Sequence, residues 1–239
     1  MTIPNHIVVI GGSGGIGRAF VQELLSRFPN AMVHATYHHC TPTFQAPNLK
    51  WTQLDITSST KISQFGHQFS HIDWLINCVG MLHTPEHGPE KNIESINDQF
   101  FLRNIEVNTL PTLLLAQAFF PAFKNSPSVK FAVLSARVGS IEDNGLGGWY
   151  SYRASKAALN MVVKNLSIEW KRRLKQATVL ALHPGTTDTA LSKPFQTNVP
   201  EGKLFNPDNV AHDLLDLITN STPSDSGQFW DYRGKNIPW

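Results

Sequence analysis

The sequence predicts an α/β fold, one domain in which short strands and longer helices alternate over 239 residues. Three observations predict it. Short apolar runs rich in β-branched residues, such as 7–10 and 129–134, recur along the chain and are too brief for helices. Between them lie stretches with apolar residues at helical spacing, as at Ile16, Phe20 and Leu24. The first run opens straight into Gly11-Gly12-Ser13-Gly14-Gly15-Ile16-Gly17, so strand, glycine turn and helix follow in immediate succession.

Composition excludes several function classes. With 41% hydrophobic and 16% charged positions, the chain can bury a sizeable core. A net charge of +2 with no basic stripe argues against nucleic acid as a partner. Cys40 and Cys78 provide no disulfide framework and no Cys-x-x-Cys pair, which suits a reducing cytoplasm. Residues 1–6 lack the charged start and long apolar core of a signal peptide, and no stretch is suited to spanning a membrane. No metal site is expected. His38 and His39 are neighbours without further ligands, as are His67 and His71 four residues apart, and both pairs read as surface histidines.

Taken in order, the first strand (7–10) leads to a turn able to bring main-chain N–H groups and a helix N-terminus against a pyrophosphate. The candidates there are Gly11, Ser13, Gly14, Gly15, Ile16 and Gly17. The second strand (31–37) ends in Thr36, Tyr37, His38 and His39, with no carboxylate to hold a ribose 2′-hydroxyl and no arginine at the expected place. NADP is therefore favoured over NAD, with Tyr37 and His38 as contacts. The third strand (51–54) runs into Asp55-Ile56 and a helix starting near 57 or 58, with Ile62, Phe65 and Phe69 on its buried side. Asp55 either accepts a hydrogen bond from an adenine amino group or caps that helix. The fourth strand (72–76) ends in Asn77-Cys78-Val79-Gly80, at the carboxyl edge where open α/β sheets bind ligands. Gly80 lets the chain turn beneath a ribose, while Cys78 reads as core filler.

A loop (81–92) precedes a long apolar helix, expected over 93–123 and bent at Pro111, which has no N–H for the carbonyl of Val107. Carbonyls near Asn108 are then free to hold a water. The fifth strand (129–134) ends in Ser135-Ala136-Arg137-Val138-Gly139-Ser140, and a glycine-bearing loop leads into a helix carrying Tyr152 and Lys156. Four residues apart, this pair shares one helix face, and a cation beside a phenol of pKa about 10 favours phenolate, a basis for acid–base chemistry. A sixth strand (178–182) precedes His183-Pro184-Gly185, a turn whose N–H groups, with Thr187 and Thr189, can meet a nicotinamide amide. Residues 189–206 lack periodicity and suit a substrate lid. A helix over 208–218 and an edge strand at 228–230 close the chain.

Together, Gly11, Gly15, Gly17, Asp55, the 77–80 turn, Asn108, Tyr152, Lys156 and Pro184-Gly185 resemble the short-chain dehydrogenase/reductase superfamily along essentially the whole chain. Asp143-Asn144 followed by Gly147-Gly148-Trp149-Tyr150-Ser151-Tyr152-Arg153-Ala154-Ser155-Lys156 is similar to the C-factor-like subgroup and to sniffer-type carbonyl reductases. The resemblance implies a Rossmann-type, doubly wound parallel sheet of seven strands in the order 3-2-1-4-5-6-7, and a homodimer or homotetramer. It implies hydride transfer between NADP, or NAD, and a carbonyl or alcohol, with Tyr152 as acid/base, Lys156 on the tyrosine and the ribose, and Asn108 ordering a relay water.

Three positions depart from the pattern: Ile10 for threonine, Val79 for alanine, and Ala136 for the serine that polarises the substrate carbonyl. Ser135, then Ser140, are the candidates to replace that serine. The alternative function is a dinucleotide-binding signalling or sensor protein with vestigial catalysis. The substrate itself is not readable from the chain.

Overall fold

The computed structural model describes residues 2–239. β1 (His6–Ile10) is buried throughout its β-branched stretch and takes the middle of a parallel sheet, pairing with β2 (Met32–Tyr37) on one side and β4 (Trp74–Asn77) on the other. β3 (Leu49–Gln53) lies outside β2, while β5 (Val129–Leu134), β6 (Ala177–His183) and β9 (Gln228–Asp231) extend the other side. The order is β3-β2-β1-β4-β5-β6-β9, seven strands as the resemblance implied. β7 (Thr186–Thr187) and β8 (Leu204–Phe205) form a separate two-stranded ladder that ties the end of the expected lid region to the stretch just before it.

Helices cover both faces, which is why β5 and β6 are apolar almost without alternation. α1 (Gly15–Arg27) and α6 (Pro207–Asn220) pack Phe20, Leu24, Leu214 and Ile218 on one face. α2 (Ser59–Gly66), α4 (Leu110–Phe123) and α5 (Tyr150–Arg173) pack Ile62, Phe119, Leu159 and Trp170 on the other. The Ser58 side chain accepts from Lys61 N and caps α2, so capping does not fall to Asp55.

The helix expected over 93–123 is three pieces. A 3-10 turn (Ile93–Ser95) comes first, then α3 (Asp98–Asn108), capped by the Asn97 side chain accepting from Phe100 N at 2.8 Å, then α4. Pro111 does more than bend a helix: it sits in the first turn of α4, where its missing N–H has no partner to lose. Among the described residues, the carbonyls of Val107 and Asn108 receive no main-chain N–H, in line with the expectation of free acceptors there.

Candidate active site

The glycine turn is held by its own backbone and by β2. Gly14 N–H donates to Gly11 O at 3.1 Å, and Gly11 N–H donates to Thr36 Oγ1 at 2.9 Å. With Ile10 at the place of the family's threonine, Thr36 thus supplies a side-chain bond to the turn. Gly11 has φ +74°, which only glycine adopts without strain. A Cβ on Gly17 would collide with the Gly11 carbonyl, and one on Gly15 would lie 2.5 Å from Thr189 Cγ2. A Cβ on Gly14 would meet only Gly11 O at 3.5 Å, so this glycine faces open space beside the helix N-terminus.

That space is a groove along the carboxyl ends of the strands. One half, ≈ 310 Å³, is lined by Gly11, Ser13, Gly14, Tyr37, His38, Asp55, Ile56, Val79 and Gly80. The other, ≈ 220 Å³, shares Gly14, Val79 and Gly80 and adds Gly15, Ile16, Gly17, Ser135, Tyr152, Lys156, Pro184 and Thr189. Most of the expected nucleotide contacts and the tyrosine–lysine pair therefore border one channel made of two adjoining cavities that share Gly14, Val79 and Gly80.

Asn77 stands behind the channel rather than in it. Its Oδ1 accepts from Val79 N at 3.1 Å and its Nδ2 donates to Thr112 Oγ1 at 3.2 Å, which shapes the 77–80 turn. Gly185 (φ +74°) and Thr187 support the Pro184 turn, Gly185 against the Phe205 ring. Asp55 Oδ1 accepts from Thr57 N at 3.0 Å and Thr57 Oγ1 at 2.8 Å, and these bonds hold its carboxyl below the ordinary range.

α5 begins at an unusual turn. Gly147 and Gly148 (φ +63° each) and Trp149 (φ +52°) are all left-handed. Two groups hold the turn, one distant in the chain and one local. Buried Glu90 accepts from Ser151 N at 3.1 Å and from Ser151 Oγ, while its carbonyl accepts from Trp149 N at 2.5 Å. Arg153 donates to the carbonyls of Gly147, Gly148 and Val138. Glu90 thus puts an anion at the positive end of the helix that carries Tyr152. No local motif marks it, since its contact spans 61 residues.

Tyr152 is 7% and Lys156 2% exposed. Lys156 Nζ donates to Leu134 O at 3.0 Å and lies 5.8 Å from the Tyr152 ring centroid. Asn108 bridges the channel wall to α5. Its Nδ2 donates to Met81 O at 2.9 Å and Ser155 Oγ at 2.9 Å, and its Oδ1 accepts from Met81 N at 2.6 Å.

Burial opposes the lowering of the phenol expected from Lys156. Burial pushes the Tyr152 phenol well above its ordinary value and brings the Lys156 amine down to about 8. Burial also pushes the Cys78 thiol up, which disfavours its thiolate.

Ser135 borders the channel, but its hydroxyl donates to Asn160 Oδ1 at 2.6 Å in the core. Ser140 lies away from it, accepting from Asp143 N at 3.1 Å. Sequence reasoning missed Arg18, which lines a cavity of ≈ 440 Å³ with Ser13, His38, His39 and Thr41 beyond the end of β2. Its signal was its place on the first turn of α1, directly after the glycine turn.

A sequence model of the short chain dehydrogenase family matches residues 5–200. The chain belongs to this family. It is an NAD(P)-dependent oxidoreductase of the kind that acts on alcohol and carbonyl groups. A 1-hydroxy-2-glutathionyl-2-methyl-3-butene dehydrogenase of Rhodococcus sp. (strain AD45) is 29% identical over 237 residues, covering 98% of this chain and 99% of the relative. The C-signal protein of Myxococcus xanthus is 35% identical over 137 residues, 57% of this chain and 77% of that protein. An NADPH-bound carbonyl reductase from chicken fatty liver superposes with a TM-score of 0.84 at 28% identity, covering 98% of this chain and 99% of that one.

Proposed function

We propose that the protein is an NADP-dependent carbonyl reductase in which Tyr152 is the proton donor. The observation that carries this reading is the convergence of Tyr152 and Lys156 on the same channel as the glycine turn. The channel fits a dinucleotide: Gly14 faces its open space, the helix N-terminus can receive phosphate, and the 77–80 turn borders both halves. Arg18, Ser13, Thr41 and the carboxylate-free end of β2 support NADP over NAD, since a 2′-phosphate calls for cations and hydroxyls. A bound nicotinamide supplies the hydride.

Tyr152 then delivers its phenolic proton to the developing alkoxide oxygen of the substrate, and Lys156 offers its ammonium to the ribose and to the tyrosinate left behind. Asn108 fixes Met81 and Ser155, leaving the Val107 and Asn108 carbonyls to hold a relay water that returns the proton. Residues 189–206 form the cover of this single domain, with Phe195 against Trp149 and His83 at 5.7 Å each. The exposed Leu113 of α4 and Met161 and Ile168 of α5 suit a subunit interface in a homodimer or homotetramer, tested by light scattering on the eluted protein.

The test of the activity is reduction of a panel of aldehydes and ketones by purified protein with NADPH. Turnover that disappears in Tyr152→Phe supports the reading, and no turnover with either dinucleotide defeats it. The commitment of Ser135 to Asn160 and the presence of Ala136 favour one alternative, a dinucleotide-binding signalling or sensor protein. That alternative predicts tight NADP binding without turnover of any panel member.

A further inference from the structure

At the opposite, amino end of the strands, the sheet leaves a second cavity of ≈ 210 Å³. His6 of β1, His34 of β2 and Lys50 of β3 line it, with Thr52, Gln68 and Ser70 closing the sides. The parallel register sets His34 beside Lys50, and the His34 ring stacks on His6 at 6.3 Å between centroids. None of these six polar side chains has a hydrogen-bond partner among the described residues, and no carboxylate lines the cavity.

The carboxylate nearest in the chain, Asp73, is already engaged. It accepts from Asn5 N at 2.7 Å, His6 N at 3.1 Å, Ser126 Oγ at 2.6 Å and His71 Nε2 at 2.7 Å. His71, the remaining titratable group on the wall, has its other ring nitrogen 3.1 Å from Asn125 O. Donors thus converge on an accessible space that contains no protein acceptor for them. His6, His34 and Thr52 are half-buried while Lys50, Gln68 and Ser70 reach solvent, so a cavity lined by basic and hydroxyl groups and by no carboxylate is open to an anion from outside.

We propose that this cavity binds a tetrahedral oxyanion, inorganic phosphate or the head of a phosphate monoester, gripped by Lys50, His34 and His6 with hydroxyls from Thr52 and Ser70. The rings of Phe65 and Phe69 line the same cavity and offer an apolar wall to an ester group. Burial, then His6 and Lys50, oppose protonation of the His34 imidazole and hold it down to about 4. An anion between them reverses that opposition, and binding takes up protons. Affinity therefore strengthens as pH falls from the ordinary histidine range of about 6.5 towards 4.

The test is NMR of the histidine rings, assigned with His6→Gln and His34→Gln, during titration with inorganic phosphate and separately with phenyl phosphate. NADP⁺ is present throughout to keep phosphate out of the channel. Because the readout is local to the cavity, it holds whether or not the protein proves to be a reductase. Saturable shifts of the His34 ring are expected, with affinity at least about tenfold tighter near pH 5 than near pH 7 and about tenfold weaker in Lys50→Gln. Response to both probes identifies the bare anion as sufficient, and response to phenyl phosphate alone identifies a monoester site. Absence of a saturable His34 shift with either probe near pH 5, or undiminished binding in Lys50→Gln, overturns the proposal.

Discussion

At the scale of single residues, the chemistry turns on how burial and charge compete at Tyr152. A unit charge about 6 Å away is worth roughly 3 kcal/mol at an effective dielectric of about 20, some two pH units in favour of phenolate. Complete burial shifts a group by up to about 3–5 units the other way, so burial wins here. The order of proton loss matters more than either shift. The Lys156 amine, brought down to about 8, deprotonates before the phenol does. Near neutrality the pair is therefore phenol plus ammonium, the state that donates a proton in carbonyl reduction.

Two predictions belong to these residues. Tyr152→Phe keeps its dinucleotide affinity and loses roughly 10²–10⁴-fold in reduction rate, read by steady-state kinetics beside fluorescence titration of NADPH. For Lys156 the lowered value means charge below about 8 and none above it. NADPH affinity should weaken as pH rises through that value, and a flat affinity from pH 7 to pH 9 would show that the amine contributes no charge to binding.

At the scale of elements, the glycine turn and the α3–α4 break place the reacting groups. Gly17→Ala forces a methyl group against the Gly11 carbonyl that the Gly14 bond depends on. NADPH affinity is expected to fall at least about tenfold, while circular dichroism stays near wild type because the strands do not depend on the turn. Asn108→Ala leaves the Met81 and Ser155 groups without their partner in a buried wall. The cost is roughly 2–3 kcal/mol in denaturant unfolding, and catalysis falls with it.

What was legible in the sequence follows from how local each signal is. The strands read directly because β-branched runs buried on both faces carry their pattern in consecutive residues. The turn read because glycine spacing is itself the geometry. The 93–123 segment misled because apolar residues nearly all round hide the face that would mark an end, and Asn97 capping α3 is a single side chain. Glu90 was invisible for a different reason. A contact across 61 residues leaves no periodicity to find, whereas Arg18 was marked locally by its place just after the glycine turn.

At the scale of the whole molecule, two histidines make folding sensitive to mild acid. Burial, and then Arg137, hold His183 down to about 4, and its Nδ1 has no partner, so the folded protein keeps it neutral. The unfolded chain protonates it near 6.5. A folded value below the unfolded one gives stability that is complete above 6.5 and is lost as pH falls towards 4. For His183 this amounts to roughly 3 kcal/mol across that window. His34, likewise held to about 4, adds a smaller share because it is partly exposed. The carboxylates cannot account for the same window. Asp73 is opposed by its burial but held below the ordinary range by bonds from Ser126, Asn5 and His6, and Asp55 by Thr57, so their contributions fade only at lower pH. Urea unfolding should therefore show a loss of about 2 kcal/mol or more between pH 7 and pH 5. His183→Gln should remove most of that difference while lowering stability at pH 7 far less than it flattens the slope. Equal unfolding free energies at the two pH values in the unsubstituted protein would mean that the strand end carrying His183 opens to water, and that the Pro184 turn beside the channel is looser than its packing against Phe205 indicates.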